Sequence, residues 1–134
     1  RVSFWATSSA PDTDFTAKLV DVHPDGFAQN VLNRVVRSRF RNGSKSPPVL
    51  SEPGRAYQYE IDLGYTSSVF RKGHQIRLDI SSSEFPHLAR NHNTGGHPAS
   101  DKRFEAATQT IHHSGDYQSY VDLSVVPRLG EGQR

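Results

Sequence analysis

Apolar and polar residues alternate along much of the chain, as in β-strands that bury one face of a sheet. The clearest alternation places Tyr57, Tyr59, Ile61 and Leu63 on one face. Residues 15–22 carry apolar side chains on both faces, which is typical of a strand at the centre of a sheet. The pattern predicts strands at residues 1–7, 15–22, 35–41, 57–63, 73–80, 104–112 and 120–125.

Turn-forming residues separate these runs. His23-Pro24-Asp25-Gly26 combines a proline, which presets φ, with a glycine, which accepts a positive φ. Because no window of helical length shows an i, i+3, i+4, i+7 apolar stripe, the sequence predicts an all-β fold. Short antiparallel strands between turns are typical of a jelly-roll sandwich, and we expect residues 1–134 to form a single domain. The longest irregular segment, Phe85–Arg103, is a candidate for function or for covering a partner.

Arginines alternate with apolar residues in the 35–41 run. We expect Val36 and Phe40 to face the core, so that Arg37, Arg39 and Arg41 line the opposite face of the sheet. A basic stripe with an embedded aromatic could bind nucleic acid. However, 16 Lys+Arg against 14 Asp+Glu give a net charge of only +2. A face that is solvated or covered by a protein partner is therefore the better interpretation, and no nucleic-acid partner is predicted.

Histidines are the first candidates for metal binding. His87, His92 and His97 could together supply three imidazole ligands to zinc. Their spacing of five residues matches neither one face of a helix nor one face of a strand. Exposed histidines in a loop are the better interpretation.

Aspartates are the second candidates, as ligands of calcium. The cluster comprises Asp12, Asp14, Asp21 and Asp25. It lacks the glycine and the distal glutamate of a calcium loop, and local turns account for the same residues. We therefore predict no metal ligands and no cofactor.

Residue types and motifs that the chain lacks exclude several classes of function. The chain has no Cys, which excludes a disulfide and a thiol nucleophile and favours a reducing compartment such as the cytoplasm. No apolar stretch is long enough for a transmembrane helix, so no membrane partner is expected. Ser81, Ser82 and Ser83 lie at a strand end without a Gly-x-Ser-x-Gly turn, and no catalytic residue is predicted. Because the chain starts at Arg1 and has no Met, we expect a longer parent protein.

Several collinear blocks of the chain resemble one family. The first block, Ser8 to Gly26, has the sequence SSAPDTDFTAKLVDVHPDG. The later blocks are residues 36–41, 59–63, 69–78, 80–86 and 90–95. From about Val2 to Pro127, the chain resembles the C-terminal β-sandwich domain of the CocE/NonD serine hydrolases, which include X-prolyl dipeptidyl-peptidases and cocaine esterase-like enzymes.

The resemblance implies a galactose-binding-like jelly roll that follows an α/β-hydrolase domain. In this family the catalytic triad belongs to the hydrolase domain, and no residue of this chain matches a triad motif. The parent would hydrolyse esters or X-Pro peptides, while this chain alone is expected to be inactive and to help shape the parent's cleft. The expected interdomain face consists of Arg37, Arg39, Arg41, Phe85, Arg90, Asn91 and Asn93. The resemblance also implies that the domain starts somewhat before Arg1, so that its first strand is missing from residues 1–134. An absent first strand would expose a sheet edge that permits self-association.

A free-standing carbohydrate-binding module is the alternative, because jelly rolls often present aromatic residues to sugars. The candidate stacking residues are Trp5, Tyr57, Tyr65, Tyr117 and Tyr120. Against this alternative, Tyr57 fits the inward-facing alternation and the chain has a single Trp.

Overall fold

The computed structural model describes residues 1–97 and 99–126. The strands are β1 (Val2–Ser8), β2 (Asp14–Val22), β3 (Ala28–Arg37), β4 (Ala56–Ile61), β5 (Gln75–Ser81), β6 (Gln109–His112) and β7 (Tyr120–Val121). A short 3-10 helix, Ser38–Phe40, follows β3. This part of the chain has no α-helix, and none of its helices is long and apolar enough to cross a membrane. The prediction of an all-β fold is confirmed.

The strands form two antiparallel sheets. In the first, β1 pairs with β4, with β6 and with β7. In the second, β2 lies between β3 and β5. Residues 15–22 therefore occupy the centre of a sheet, as their apolar pattern predicts. The arrangement agrees with a β-sandwich, whereas the jelly-roll connectivity and the galactose-binding likeness stay predictions.

The core is built on an aromatic cluster from β1, β2 and β4. The ring centroids of Phe4 and Phe15 lie 5.4 Å apart at a steep angle, and those of Phe15 and Tyr59 lie 4.7 Å apart. Edge-to-face and tilted contacts of this kind add to the free energy of burial. The other buried members are Val2, Ala6, Ala17, Leu19, Ile61 and Leu63. The alternation of β4 thus points its apolar side chains into this core.

The strand predicted at residues 35–41 begins and ends earlier in the structure. β3 spans Ala28–Arg37, and the chain then enters the 3-10 helix. Most of β3 shows no apolar alternation, because it contains the polar residues Gln29, Asn30 and Asn33. β3 borders its sheet, where exposed positions are expected, because one side of such a strand has no neighbouring strand to cover it.

The position of Phe40 was predicted wrongly. Its side chain is 39% exposed, since the helical turn takes it out of the strand register that would have aimed it at the core. Arg39 and Arg41 leave the strand register for the same reason. The three arginines therefore do not form a stripe on one sheet face.

Candidate interdomain face

Two buried carboxylates lie beneath the predicted interdomain face. Asp12 is 1% exposed and Asp14 is 6% exposed. Antiparallel register places Arg37 opposite Asp14, and its Nε and Nη2 donate to the two carboxylate oxygens at 2.8 and 3.0 Å. Arg39 donates to Asp12 from its main-chain N–H at 3.0 Å and from Nε at 2.9 Å. These paired contacts offset the cost of removing the charges from water.

The hydrogen bond and charge of Asp14 also act on the arginine. They raise the pKa of Arg37 above its ordinary value, against the opposing effect of burial. Arg37 therefore stays charged throughout the pH range in which proteins fold. Asp14 therefore faces a cationic partner throughout that range.

Asn91 joins the two ion pairs. Its side-chain Nδ2 lies 2.9 Å from Oδ2 of Asp12 and 2.9 Å from Oδ1 of Asp14, and it donates to both carboxylates. Its Oδ1 accepts the main-chain N–H of Asn93 at 3.0 Å. Asn93 has a φ of 63° and donates from Nδ2 to the carbonyl of Glu105. The loop between β5 and β6, residues 82–108, is thereby fixed to the start of β2.

The loop is packed too closely at this point to bind a ligand. Nη2 of Arg39 donates to the carbonyl of Gly96 at 3.0 Å, which brings the loop backbone against the ion pairs. The cavity between Arg37, Arg39, Asn91 and the loop is about 10 Å³. A volume of this size holds about one water molecule. The network thus supports the loop and does not form a binding pocket.

Arg41 lies apart from the other two arginines. Its Nη1 donates to the carbonyls of Ser38 and Val49 at 3.1 and 2.7 Å. Its guanidinium carbon lies 4.2 Å from the centroid of the Tyr57 ring. Arg41 therefore borders a different cleft from the one near the loop, and the predicted face is divided in the structure.

Apolar side chains are exposed next to the fixed loop. Phe85 is 61% exposed, and the guanidinium carbon of Arg90 lies 4.6 Å from its ring centroid. An open apolar cleft of about 250 Å³ lies where the loop meets β3 and is lined by Val35, Phe40 and Leu88. Exposed aromatic and arginine side chains are the residue types that dominate protein interfaces. We call Val35, Phe40, Phe85, Leu88 and Arg90 the loop face.

The structure does not bring together His87, His92 and His97, the loop histidines that were considered as zinc ligands. Among the described residues, Asp21, His23 and His74 form the one group of three metal-ligating side chains, and it contains none of the three loop histidines. His92 instead packs against Phe104, with ring centroids 4.1 Å apart.

The four aspartates are also in separate environments. The carboxylates of Asp12 and Asp14 are bound by the arginines and by Asn91. Asp25 accepts the main-chain N–H of Phe27 at 3.0 Å, as in a local turn. Asp21 lies near the end of β2, away from Asp14 at its start. The calcium interpretation therefore has no geometric support among these residues.

The serines at the end of β5 bond to nearby backbone. The hydroxyl of Ser81 donates to the carbonyl of Ser83 at 3.3 Å, and Phe85 donates its N–H to the Ser83 hydroxyl at 3.4 Å. These contacts shape the entry into the loop.

Of the five candidate sugar-stacking residues, Trp5 and Tyr57 line one open cleft of about 770 Å³, whereas Tyr65 and Tyr120 do not border that cleft. Trp5 packs against Tyr117, with ring centroids 5.0 Å apart. Tyr57 is covered by Arg41, Tyr65 is fully exposed, and Tyr120 lines a separate cleft between the sheets.

Comparison with known families decides where the chain belongs. Residues 1–122 match the family described as the X-Pro dipeptidyl-peptidase C-terminal non-catalytic domain. The chain belongs to this family. It is similar to the cocaine esterase of Rhodococcus sp. (strain MB1 Bresler), with 43% identity over 126 residues, 92% of this chain and 22% of that protein. The resemblance drawn from the sequence blocks is confirmed.

Solved structures of the same kind share the fold. An aminopeptidase from a marine sediment archaeon, Thaumarchaeota archaeon, matches with a TM-score of 0.78 and 27% identity over 88% of this chain and 21% of that one. An α-amino acid ester hydrolase matches with a TM-score of 0.75 and 27% identity over 89% of this chain and 21% of that one. The chain thus spans about a fifth of the length of the relatives that it matches.

The buried ion pairs predict that Asp12 contributes much more to the free energy of unfolding than Asp79 does. Asp12→Ala leaves Arg39 without its buried partner, and we expect the free energy of unfolding to fall by about 3–5 kcal/mol. Asp79→Ala removes an exposed pair with Arg77 and should cost less than about 1 kcal/mol. Urea denaturation followed by circular dichroism measures both. Equal losses in the two variants would show that the Asp12 pair does not hold the structure together.

The loop also contains a carboxyl group whose pKa can be tested. The hydroxyl of Thr94 and the main-chain N–H of Arg103 donate to Asp101 and lower the pKa of its carboxyl below the ordinary value. A lowered folded-state pKa stabilises the fold above the unfolded pKa of about 3.9 and loses that contribution as the pH falls through the folded value. A carboxyl-carbon NMR titration should give a midpoint below about 3.9, and Thr94→Val should raise it. An unchanged midpoint in the variant would contradict the assigned contact.

Proposed function

We propose that this chain is the accessory C-terminal domain of a larger serine hydrolase and packs against its α/β-hydrolase domain. The observation that carries the proposal is the apolar loop face on a loop that buried ion pairs hold in place. A surface that is already ordered loses little conformational entropy on binding. The family's description as non-catalytic supports a role in packing and not in bond cleavage.

The loop face has the chemistry of an interdomain contact. Phe85 offers an exposed aromatic ring, and Val35 and Phe40 line an apolar cleft beside it. Among the described residues, Arg90 contacts that ring and forms no ion pair with a carboxylate. Its N–H groups can therefore donate to carboxylates or carbonyls of the hydrolase domain. We assign Arg37, Arg39, Asn91 and Asn93 to supporting this surface from beneath, and Arg41 to a separate cleft.

We further propose that the loop borders the active-site cleft of the hydrolase domain. Substrates of the whole protein would be esters or X-Pro peptides. This part of the proposal is supported by the names of the relatives, a cocaine esterase and an X-Pro dipeptidyl-peptidase domain family. The triad would lie in the hydrolase domain.

A chimaera tests the packing directly. The matching C-terminal segment of the Rhodococcus cocaine esterase is replaced by this chain, and ester hydrolysis and thermal unfolding are measured. We expect the chimaera to hydrolyse a p-nitrophenyl ester and the isolated chain to show no turnover above background. Phe85→Ser should lower the Tm of the chimaera by several degrees while leaving the Tm of the isolated chain unchanged, since the ring is exposed in the latter.

Phe27→Ser is the matched control. Phe27 is 58% exposed and follows the end of β2 that is opposite to Asp14. This substitution should leave the Tm of the chimaera unchanged. Equal effects of the two serine variants, or an equal loss in the isolated chain, would overturn the assignment of the loop face.

Self-association through an exposed sheet edge stays a prediction. Among the described residues, β3 and β5 each pair only with β2, so each has one open edge. Arg34 and Arg37 on β3 and Arg77 on β5 place charge on these edges, which discourages edge-to-edge pairing. We therefore favour a hydrolase domain, and not a second copy of this chain, as the partner.

A further inference from the structure

Two turns meet at the end of the second sheet that lies away from the loop face. Antiparallel register places Val22, the last residue of β2, opposite Gln75, the first residue of β5. His23 directly follows β2, and His74 directly precedes β5. Strand pairing therefore brings together two histidines that are far apart in the sequence.

Backbone hydrogen bonds fix both histidines. The N–H of His23 donates to the carbonyl of Phe27 at 2.8 Å, and its carbonyl accepts the N–H of Gly26 at 3.0 Å. Gly26 has a φ of 89°, which favours glycine at this point of the turn. The N–H of His74 donates to the carbonyl of Arg71 at 3.0 Å. Both imidazoles thus project from ordered turns.

The carboxylate of Asp21 lies between the two imidazoles. Its Oδ1 is 2.9 Å from Nδ1 of His74, and its Oδ2 is 3.8 Å from Nε2 of His23. The two ring centroids are 4.2 Å apart. One potential ligand atom from each residue lies within 4.8 Å of the other two. In the described part of the chain, no other group of three such residues is this close.

These separations fit one zinc ion. Zinc binds imidazole nitrogen and carboxylate oxygen at about 2.0–2.2 Å, so tetrahedral ligand atoms lie roughly 3.3–3.5 Å apart. The nitrogens of His74 and His23 lie 2.9 and 3.8 Å from the two different oxygens of the Asp21 carboxylate, on either side of that range. Small side-chain rotations would therefore bring the three ligands into place. Asp21 is 7% exposed, and a carboxylate at this depth strengthens attraction for a cation.

The site is open on one side. A cleft of about 340 Å³ leads to it and is lined by Gln29, Ser68 and Arg71. The cleft gives an ion a path of entry and leaves room for water as a fourth ligand. The charge of Arg71 opposes a cation, but this residue is exposed, and its long side chain can turn towards solvent.

We propose that Asp21, His23 and His74 bind a zinc ion that joins the turn after β2 to the turn before β5. The proposal departs from the sequence-based prediction of no metal ligands, which considered neither histidine. It is independent of the loop face, because it lies at the other end of β2. A simple hydrogen-bonded Asp–His pair is the competing explanation, and it predicts no effect of metal.

Metal titration of the tag-free chain tests the site. Calorimetry with Zn²⁺ should show one ion per chain, and Zn²⁺ should raise the Tm. Co²⁺ should give visible absorption bands that Zn²⁺ abolishes. His23→Ala should weaken Zn²⁺ binding by a factor on the order of ten or more, because it removes one of three protein ligands. His87→Ala, which removes an exposed histidine outside the group, should bind as the parent chain does.

Three outcomes would overturn the zinc site. These are the absence of saturable binding, a His23→Ala variant that binds as tightly as the parent, and an equal loss in His87→Ala. Circular dichroism checks that each variant is folded. His23→Gln, which keeps a polar side chain of similar size in the turn, replaces His23→Ala if the latter does not fold.

Discussion

The pairing of two buried aspartates with two arginines is the constraint on which the loop face depends. Asp12 and Asp14 are almost completely removed from water, and such charges are tolerated only with well-placed partners. Arg37 and Arg39 supply those partners from the end of β3 and the turn that follows it. The geometry thereby fixes the start of β2 against the end of β3.

The same carboxylates organise the long loop. Asn91 uses one amide group to contact both aspartates, and Arg39 reaches the backbone of the loop at Gly96. A 27-residue connection without strands or helices among its described residues is thus held at its middle by polar contacts and not by an apolar core. The ordering allows Phe85 and Arg90 to be presented at a fixed position. The proposed contact with a hydrolase domain depends on these polar contacts, because they order the loop that carries the exposed residues.

The strand pattern could be predicted where burial is one-sided or complete. In β4, the alternation of polar and apolar residues indicates which side chains are buried in the core and which are exposed at the surface. In β2, apolar residues on both faces indicate a strand at the centre of a sheet. The pattern failed at β3, whose exposed asparagines and glutamine carry no apolar signal, and at Phe40, which a helical turn moves out of register. The resemblance blocks include Arg37, Arg39 and Asn91, but periodicity cannot show that these residues share contacts with Asp12 and Asp14. His23 and His74 were missed because only the pairing of β2 with β5 makes them neighbours.

Hydrogen–deuterium exchange measured on the isolated chain and on the chimaera tests the central claim most directly. If the loop face packs against a hydrolase domain, amides of residues 84–90 exchange more slowly in the chimaera, because the contact shields them and restricts local opening. Amides of residues 24–27, at the other end of β2, exchange at the same rate in both. Equal exchange of residues 84–90 in the two proteins would contradict the account.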